Sequence, residues 1–444
     1  MSVFQSPPRP SKPPRPHPTG RAMAAAAVAA LLTATACTAA PAPQESGAPP
    51  ATGSAAASPS ESAAGAGSAA QCPPLTATVP TTDAQSGPSA APDSGSSALT
   101  RSDGGTSAVS NATLTRTGPS AGSAGTGDPD AAVLVSGGSR LFLGSSSVTS
   151  SGTGTDGIFS TGTGSLVQLG SVSVSTEGPS THAVRAGSGG ALTGADLTLS
   201  TAGDQAGTVF ADGGEISFNR TTARADGESS AALHSAGNLS LCGSTGSSAR
   251  AEGALIEGAN SLISTRSEIT GATHGAHLSA SGGADGASLT VSGGTLTGTA
   301  GNAVLIEAVP ATVTISDGAR LSAGSGTLIA AEQGADGTVN VTETELAGNL
   351  AAEQGSTLTV SLASNSSVDG VLSNVGLSLD TTSTLSLQED STATTLIGAL
   401  IIGDRATNIT GNGHALTYDP SAEQNAYLGG GTYTLEQGGS LAPE

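Results

Sequence analysis

Glu257 and Glu307 are the residues whose type and spacing come nearest to a catalytic pair. Aligned on a repeat of about 25 residues, they share one column with Arg185 and His234. If each repeat is one β-strand wide, the two carboxyl groups stand two turns apart, or roughly 10 Å. Inverting glycosidases hold their carboxyl groups about 6.5–9.5 Å apart, so the pair is a marginal candidate for polysaccharide hydrolysis.

The surroundings of this pair favour a solvated outer face with scattered charges over an active site. The other positions of the column hold small residues: Ser160, Ala211, Ser279 and Ala330. The strings DD, GHG and RIK of pectin-cleaving hydrolases are absent, and Asp156 is interpreted as a turn residue. We therefore predict a protein that is not an enzyme, with no catalytic or cofactor-binding residues and no cofactor. A polysaccharide-active hydrolase or lyase is the alternative.

Two further patterns in the sequence are candidates for binding sites. His274 and His277, with Glu268 nearby, could supply two or three zinc ligands, but the rest would have to come from elsewhere. Solvent-exposed histidines are the favoured interpretation, and no metal site is predicted. A column of outward hydroxyl residues could bind ice if it were regular, but it mixes residue types: Thr193, Ser217, Ser240, Thr290 and Thr314.

The element that positions these residues is a short strand repeated many times. The first apolar group of each repeat recurs every 23–27 residues at Leu141, Leu166, Leu192, Ile216, Leu239, Leu262, Leu289, Val313 and Val339. A second group follows about seven residues later, as at Val148 and Leu321. A third follows about ten residues after that, as at Phe159, Phe210 and Leu305. Glycine-rich corners separate the units and permit sharp bends.

A single unit cannot bury its own apolar groups, so the units must stack. Each strand then pairs with its counterpart one turn away, about 4.8 Å along the axis. The period is too long for a hexapeptide left-handed β-helix, and the leucine-rich repeat pattern is absent. The sequence predicts an all-β fold: a right-handed three-sheet parallel β-helix solenoid, roughly 45–60 Å long, with a disordered N-terminal leader and tether.

Composition supports a thin stacked repeat with an acidic surface. Aromatic residues make up 2% of the 444 residues, tryptophan is absent and glycine numbers 64. The net charge of −21 disfavours nucleic acid and anionic lipid as partners.

The N-terminus has the features of a bacterial export signal. Basic residues precede the apolar run Ala22–Leu32, which is too short to span a bilayer. Cys37 follows an Ala-Thr-Ala site and resembles the lipidated cysteine of a lipobox, although Ala34 replaces the usual leucine. We expect a lipid anchor at Cys37, with free secretion or an uncut leader as alternatives. Cys72 and Cys242 are then either a disulfide or two free thiols.

These features divide the chain into five segments. Residues 1–36 are predicted to be the signal peptide, 37–71 a disordered Ala/Pro/Ser/Gly linker, and 72–128 an irregular N-terminal cap with a first degenerate turn. Residues 129–410 are the predicted parallel β-helix. Residues 411–444 are the predicted C-terminal cap, which hides the last open strand edge.

The repeat region resembles a known family of bacterial proteins. The phrases AAVLVSGGSRLFLGSSSVTSSGTG, HAVRAGSGG, ALIEGANSLISTRSEITGA and GNGHALTYD are similar to those of adhesin-like secreted proteins with right-handed parallel β-helix repeats of the pectate-lyase-like type. The resemblance implies a surface-exposed β-helix and carries over no active site.

The functional prediction is a non-catalytic cell-surface lipoprotein, a β-helical rod that presents a polar face for adhesion or for contact with the cell wall or its glycans. Its expected partners are surface or wall polysaccharide or another cell, with the membrane contacted only through the N-terminal lipid. A monomer outside the cell, anchored to the bacterial membrane, is expected. A purely structural surface spacer is a further alternative.

Overall fold

The chain is an all-β parallel β-helix of about 12 turns. A computed structural model describes Cys72 and residues 89–90, 97–119, 130–280 and 286–444. Cys37, the predicted leader and the predicted linker lie outside the described residues. The first turn, at residues 99–116, was expected to be degenerate. It forms three strands in register with those of the next turn.

Each turn contributes one strand to each of three parallel sheets. The first sheet contains Thr106–Ser110, Arg140–Gly144, Leu166–Gly170, Ala191–Ala195, Ser261–Thr265, Ala287–Ser292, Pro310–Ser316, Asp336–Thr342, Thr357–Ala363 and Val375–Leu379. The second contains Ser89–Ala90, Thr113–Arg116, Ser147–Ser150, Ser173–Thr176, Thr198–Thr201, Thr222–Ala225, Thr245–Ser248, Glu268–Gly271, Thr295–Gly298 and Arg320–Ala323. The third contains Leu99–Arg101, Ala131–Val135, Asp156–Thr161, Val184–Gly187, Ala254–Glu257, Ala276–Ser279, Val304–Glu307, Thr327–Glu332, Asn349–Ala352 and Leu372–Ser373.

Two long strands, Val209–Asn219 and Leu233–Cys242, bend from the third sheet into the first. The corner needs residues without a side chain: a Cβ at Gly214 would lie 2.6 Å from the carbonyl oxygen of Ala186. The glycine-rich corners of the sequence therefore let successive turns approach each other closely.

Three further strands, Glu345–Ala347, Ser367–Gly370 and Thr384–Leu387, complete the next three regular turns and pair in parallel with one another. The C-terminal end beyond them departs from the three-strand turn. Its strands are Ser391–Ile397, Ile401–Ile402, Arg405–Thr410, Ala415–Tyr418, Tyr433–Glu436 and Ser440–Pro443, with a 3-10 helix at Glu423–Leu428. Two of its strand pairs are antiparallel, unlike every other strand pair among the described residues.

The core is a set of apolar columns that run along the axis. Val291, Ile315, Val341 and Leu362 are partners on successive turns, and all are buried. Apolar groups too small to form a core within one turn thus pack on the same groups above and below. This confirms the stacking predicted from the sequence.

A disulfide joins Cys72 to Cys242, with their Cα atoms 5.5 Å apart. It ties a residue that precedes the first turn to the long strand that ends at Cys242, and Arg266 donates a hydrogen bond to the Cys72 sulfur. Of the two states left open by the sequence, the structure has the disulfide.

Candidate functional site

The outer side of the third sheet gathers most of the reactive side chains singled out in the sequence. One outward column runs through successive turns and contains Phe159, Arg185, Phe210, His234, Leu255, His277, Leu305 and Ala330. We call the part of this surface formed by Arg185, Phe210, His234, Leu255 and His277, with Glu257 and Glu307 beside them, the histidine face.

The column expected from the sequence was wrong in its register. Ser160 and Ala211 belong to a neighbouring column that points into the core. Glu257 and Glu307 lie two residues further along their strands than Leu255 and Leu305, in a third column with Ser279 between them. The two glutamates do stand two turns apart, as expected.

Phe159, Phe210 and Leu305 are expected from the sequence to face the interior, but they lie in the outward column, although Phe159 and Leu305 are buried there. Each stands next to another apolar residue, as in Val209–Phe210, and adjacent residues of a strand point to opposite sides. The register places Val209 inside and Phe210 in the outward column with Arg185 and His234. The adjacent apolar pair was the signal in the sequence that could have identified Phe210.

Two diagonal histidine–glutamate pairs give the histidine face its repeated motif. His234 Nε2 donates to Glu257 Oε2 at 2.9 Å, and His277 Nε2 donates to Glu307 Oε2 at 2.9 Å. In both cases the glutamate ends a Leu-Ile-Glu sequence on the following turn. The sequence signal for these pairs was the recurrence of Leu-Ile-Glu one repeat after each histidine.

His277 lies between two carboxylates. In addition to Glu307, Glu252 Oε1 lies 3.7 Å from His277 Nδ1. Burial acts to lower the pKa of His277, but Glu252 and Glu307 outweigh it and raise the pKa above its ordinary value. The His277 imidazole beside Glu252 lowers the pKa of that carboxyl. Glu307 also accepts a hydrogen bond from Gln333 Nε2.

Arg185 and three rings form a stack along the axis. The Arg185 guanidinium carbon lies 4.8 Å from the centroid of Phe159 and 5.4 Å from that of Phe210. Phe210 in turn stacks on His234, with centroids 4.3 Å apart, and contacts His182 at 4.6 Å. The faces of Phe210 are covered by these neighbours, so it does not provide an open platform for a sugar ring.

Arg185 contacts two aspartates. Its Nη2 lies 2.5 Å from Asp212 Oδ2, and its Nη1 lies 3.6 Å from Asp156 Oδ2. Asp156, interpreted from the sequence as a turn residue, instead begins the strand Asp156–Thr161, where it is buried and accepts a hydrogen bond from the backbone N–H of His182. Burial raises the pKa of Asp156 to about 7, although Arg185 opposes this shift.

A cavity of about 290 Å³ opens beside these residues and is lined by His182, Gln205, Phe210, His234, Glu252 and Leu255, among others. Neither His182 nor Glu252 was singled out from the sequence. They come from the segments that lead into Val184–Gly187 and Ala254–Glu257, which no periodic pattern marks. Only the stacking of turns brings them next to Phe210.

His274 and His277 were expected to be exposed to solvent, but both are half-buried and hydrogen-bonded. His274 Nδ1 accepts a hydrogen bond from the backbone N–H of Asn302, and burial lowers the pKa of His274. Glu268 lies on the second sheet, apart from them. The described ranges contain no group of three or more His, Cys, Asp or Glu side chains that could hold a metal ion.

The hydroxyl column lies on the outer side of the first sheet, away from the histidine face. Thr193, Ser217 and Ser240 are in register, and so are Thr290 and Thr314, but Ile263 stands between the two groups. The column is therefore interrupted by an exposed apolar side chain.

The chain matches no family model and no curated protein. Across the residues that the structure describes, no helix has the length and apolar character needed to cross a membrane.

Proposed function

We propose that this protein is a non-catalytic, adhesin-like β-helical rod of the bacterial cell surface that binds polysaccharide through its histidine face. One observation carries the proposal: the two His–Glu pairs, the Arg185 stack and the cavity lie together on one side of one sheet. A row of side chains repeated about every 4.8 Å suits a linear polymer that lies along the axis.

The character of the face favours binding over hydrolysis. Glu257 and Glu307 each accept a hydrogen bond from a histidine. Inverting hydrolysis needs one carboxyl group with a raised pKa as the acid and a second that activates water. Carboxylates already held by imidazoles instead offer acceptors to sugar hydroxyls.

The binding test uses the purified chain and a panel of uronic-acid and wall polysaccharides. We expect His234→Ala and His277→Ala each to weaken binding about tenfold or more, or about 1.4 kcal/mol. Thr290→Ala, on the outer side of the first sheet, is the matched control and should bind like the wild type. Binding that disappears in the control but not in the histidine variants would refute the assignment of the face.

The same incubations separate binding from catalysis. We expect no oligosaccharide release with any polymer in the panel. Release that Glu257→Gln abolishes would establish the alternative, a polysaccharide-active enzyme. If neither polymers nor whole cells bind, the structural spacer becomes the better description.

The proposed location is the outer side of the cell membrane, with the lipid carried by Cys37. The support is the sequence around Cys37, in which a basic segment and a short apolar run precede the cysteine. Detergent partitioning of the chain produced in bacteria tests the anchor. The wild type should enter the detergent phase and Cys37→Ala should stay in the aqueous phase. Equal partitioning would favour free secretion or an uncut leader.

A further inference from the structure

We infer that the cavity of the histidine face binds the primary ammonium group of an amino sugar. The inference rests on the proposed function and names its ligand class. Three features support the inference: the polar groups that line the cavity, the existing contacts of the charged side chains around it, and the volume of the cavity.

The first step concerns the hydrogen-bonding state of His182. Its Nδ1 lies 2.9 Å from the carbonyl oxygen of Gly207, and a carbonyl oxygen can only accept. Nδ1 therefore carries the proton. Burial also lowers the pKa of His182 to about 3, so the ring is neutral at ordinary pH and its Nε2 is an acceptor.

The second step concerns Glu252, which contributes a negative charge to the lining. Within the part of the chain that the structure describes, its ion-pair contact is with His277 and is 3.7 Å long, beyond the distance of a strong charge-assisted hydrogen bond. The carboxylate is partly exposed, so a closer cationic donor can reach it. Together, Glu252 and His182 offer acceptors to a ligand that brings several N–H donors.

The third step is that the charge of the nearby Arg185 guanidinium is already compensated. Arg185 Nη2 contacts the Asp212 carboxylate, and the Nε2–H of His234 already donates to Glu257. Arg185 therefore leaves no excess positive charge to attract an acidic sugar. Glu252 would repel a uronic acid, whereas it would attract a protonated amine.

The size of the cavity favours a single sugar unit. Its volume of about 290 Å³ is at the lower end of the range for small-molecule sites. Phe210 and Leu255 supply apolar wall next to the acceptors. An amino sugar combines a ring of this scale, apolar C–H groups and one ammonium group, and it occurs as a unit within a longer polymer.

The test compares two oligosaccharides that differ only in whether their amino groups are free or N-acetylated. Glucosamine tetrasaccharide and its N-acetylated counterpart are titrated into the purified chain by calorimetry at about pH 6, where a primary amine is protonated. We expect the glucosamine oligomer to bind at least tenfold more tightly. Glu252→Gln should abolish this preference, while Glu252→Asp, which keeps the charge, should retain part of it.

Glu345→Gln is the matched control, because Glu345 is exposed on a strand outside the third sheet. It should leave both affinities unchanged, and the thermal melting of each variant verifies folding. Equal affinity for the two oligomers, or a preference that survives in Glu252→Gln, overturns the inference. If binding is equal but His234→Ala still weakens it, the proposed glycan function stands. If the wild type binds no polysaccharide at all, both proposals fail.

Discussion

His277 is the side chain on which the charge of the histidine face most depends. It contacts Glu307 on one side and Glu252 on the other, and this pairing favours its protonated form. The raised pKa means that the folded protein binds this proton more tightly than the unfolded chain does. The stabilisation from this pairing is therefore complete below about pH 6.5, and it is lost as the pH rises through the folded pKa.

His277→Gln tests this dependence. Urea unfolding of wild type and variant should differ by roughly 1.5–3 kcal/mol at about pH 6, the range for hydrogen bonds to charged groups. The difference should shrink at about pH 9, because His277 is then neutral in the wild type. Glu252, with its lowered pKa, stays ionised across this range and does not contribute to the change. A difference that is constant or grows with pH would contradict the assignment.

At the scale of the strand, alternation decides which side chains hold the fold together. In Ala287–Ser292, Leu289 is fully buried and packs in a column between Leu262 and Val313. Thr290 is the next residue and lies on the outer side. Successive residues of the strand thus point alternately to the core and to the surface.

Leu289→Ala should lower the free energy of unfolding by about 2–5 kcal/mol, because it leaves a cavity between two turns that cannot collapse freely. Thr290→Ala is the control on the same strand, and it should change stability by no more than about 0.5 kcal/mol. Chemical unfolding followed by circular dichroism measures both. Similar losses in the two variants would mean that the register of this strand is wrong.

For the whole molecule, the disulfide is the main constraint that does not come from stacking. Cys72 and Cys242 are 170 residues apart in the chain. Closing a loop of this length removes conformational freedom from the unfolded chain, with a maximum effect of about 5 kcal/mol in the chain-entropy description.

The double variant Cys72→Ser/Cys242→Ser should therefore be less stable than the oxidised wild type by about 2–5 kcal/mol. Its strand content should be retained, because the columns of the core do not depend on Cys72. Reductant should lower the stability of the wild type by a similar amount and leave the variant unchanged. Equal stability of oxidised wild type and variant would show that the bridge adds nothing to the fold.

The sequence by itself determined the architecture. Apolar groups such as Val313 and Ile315 recur at a nearly constant interval and alternate with Thr, and only stacked turns can bury them. The two-turn separation of Glu257 and Glu307 was also predictable, because it follows from the period alone. The repeat period and the alternation of apolar and polar residues were sufficient to predict these two features.

The tertiary structure alone decided the site. The spacing of the repeat varies from 23 to 27 residues, and a shift of one residue moves a side chain from the core to the surface. That is why Phe210 was placed inside, and why Arg185 and His234 were grouped with the wrong neighbours. His182 and Glu252 lie in corners, where no alternation constrains them. Their approach to Phe210, and the pairing of Cys72 with Cys242, depend on distances between turns that only the folded chain defines.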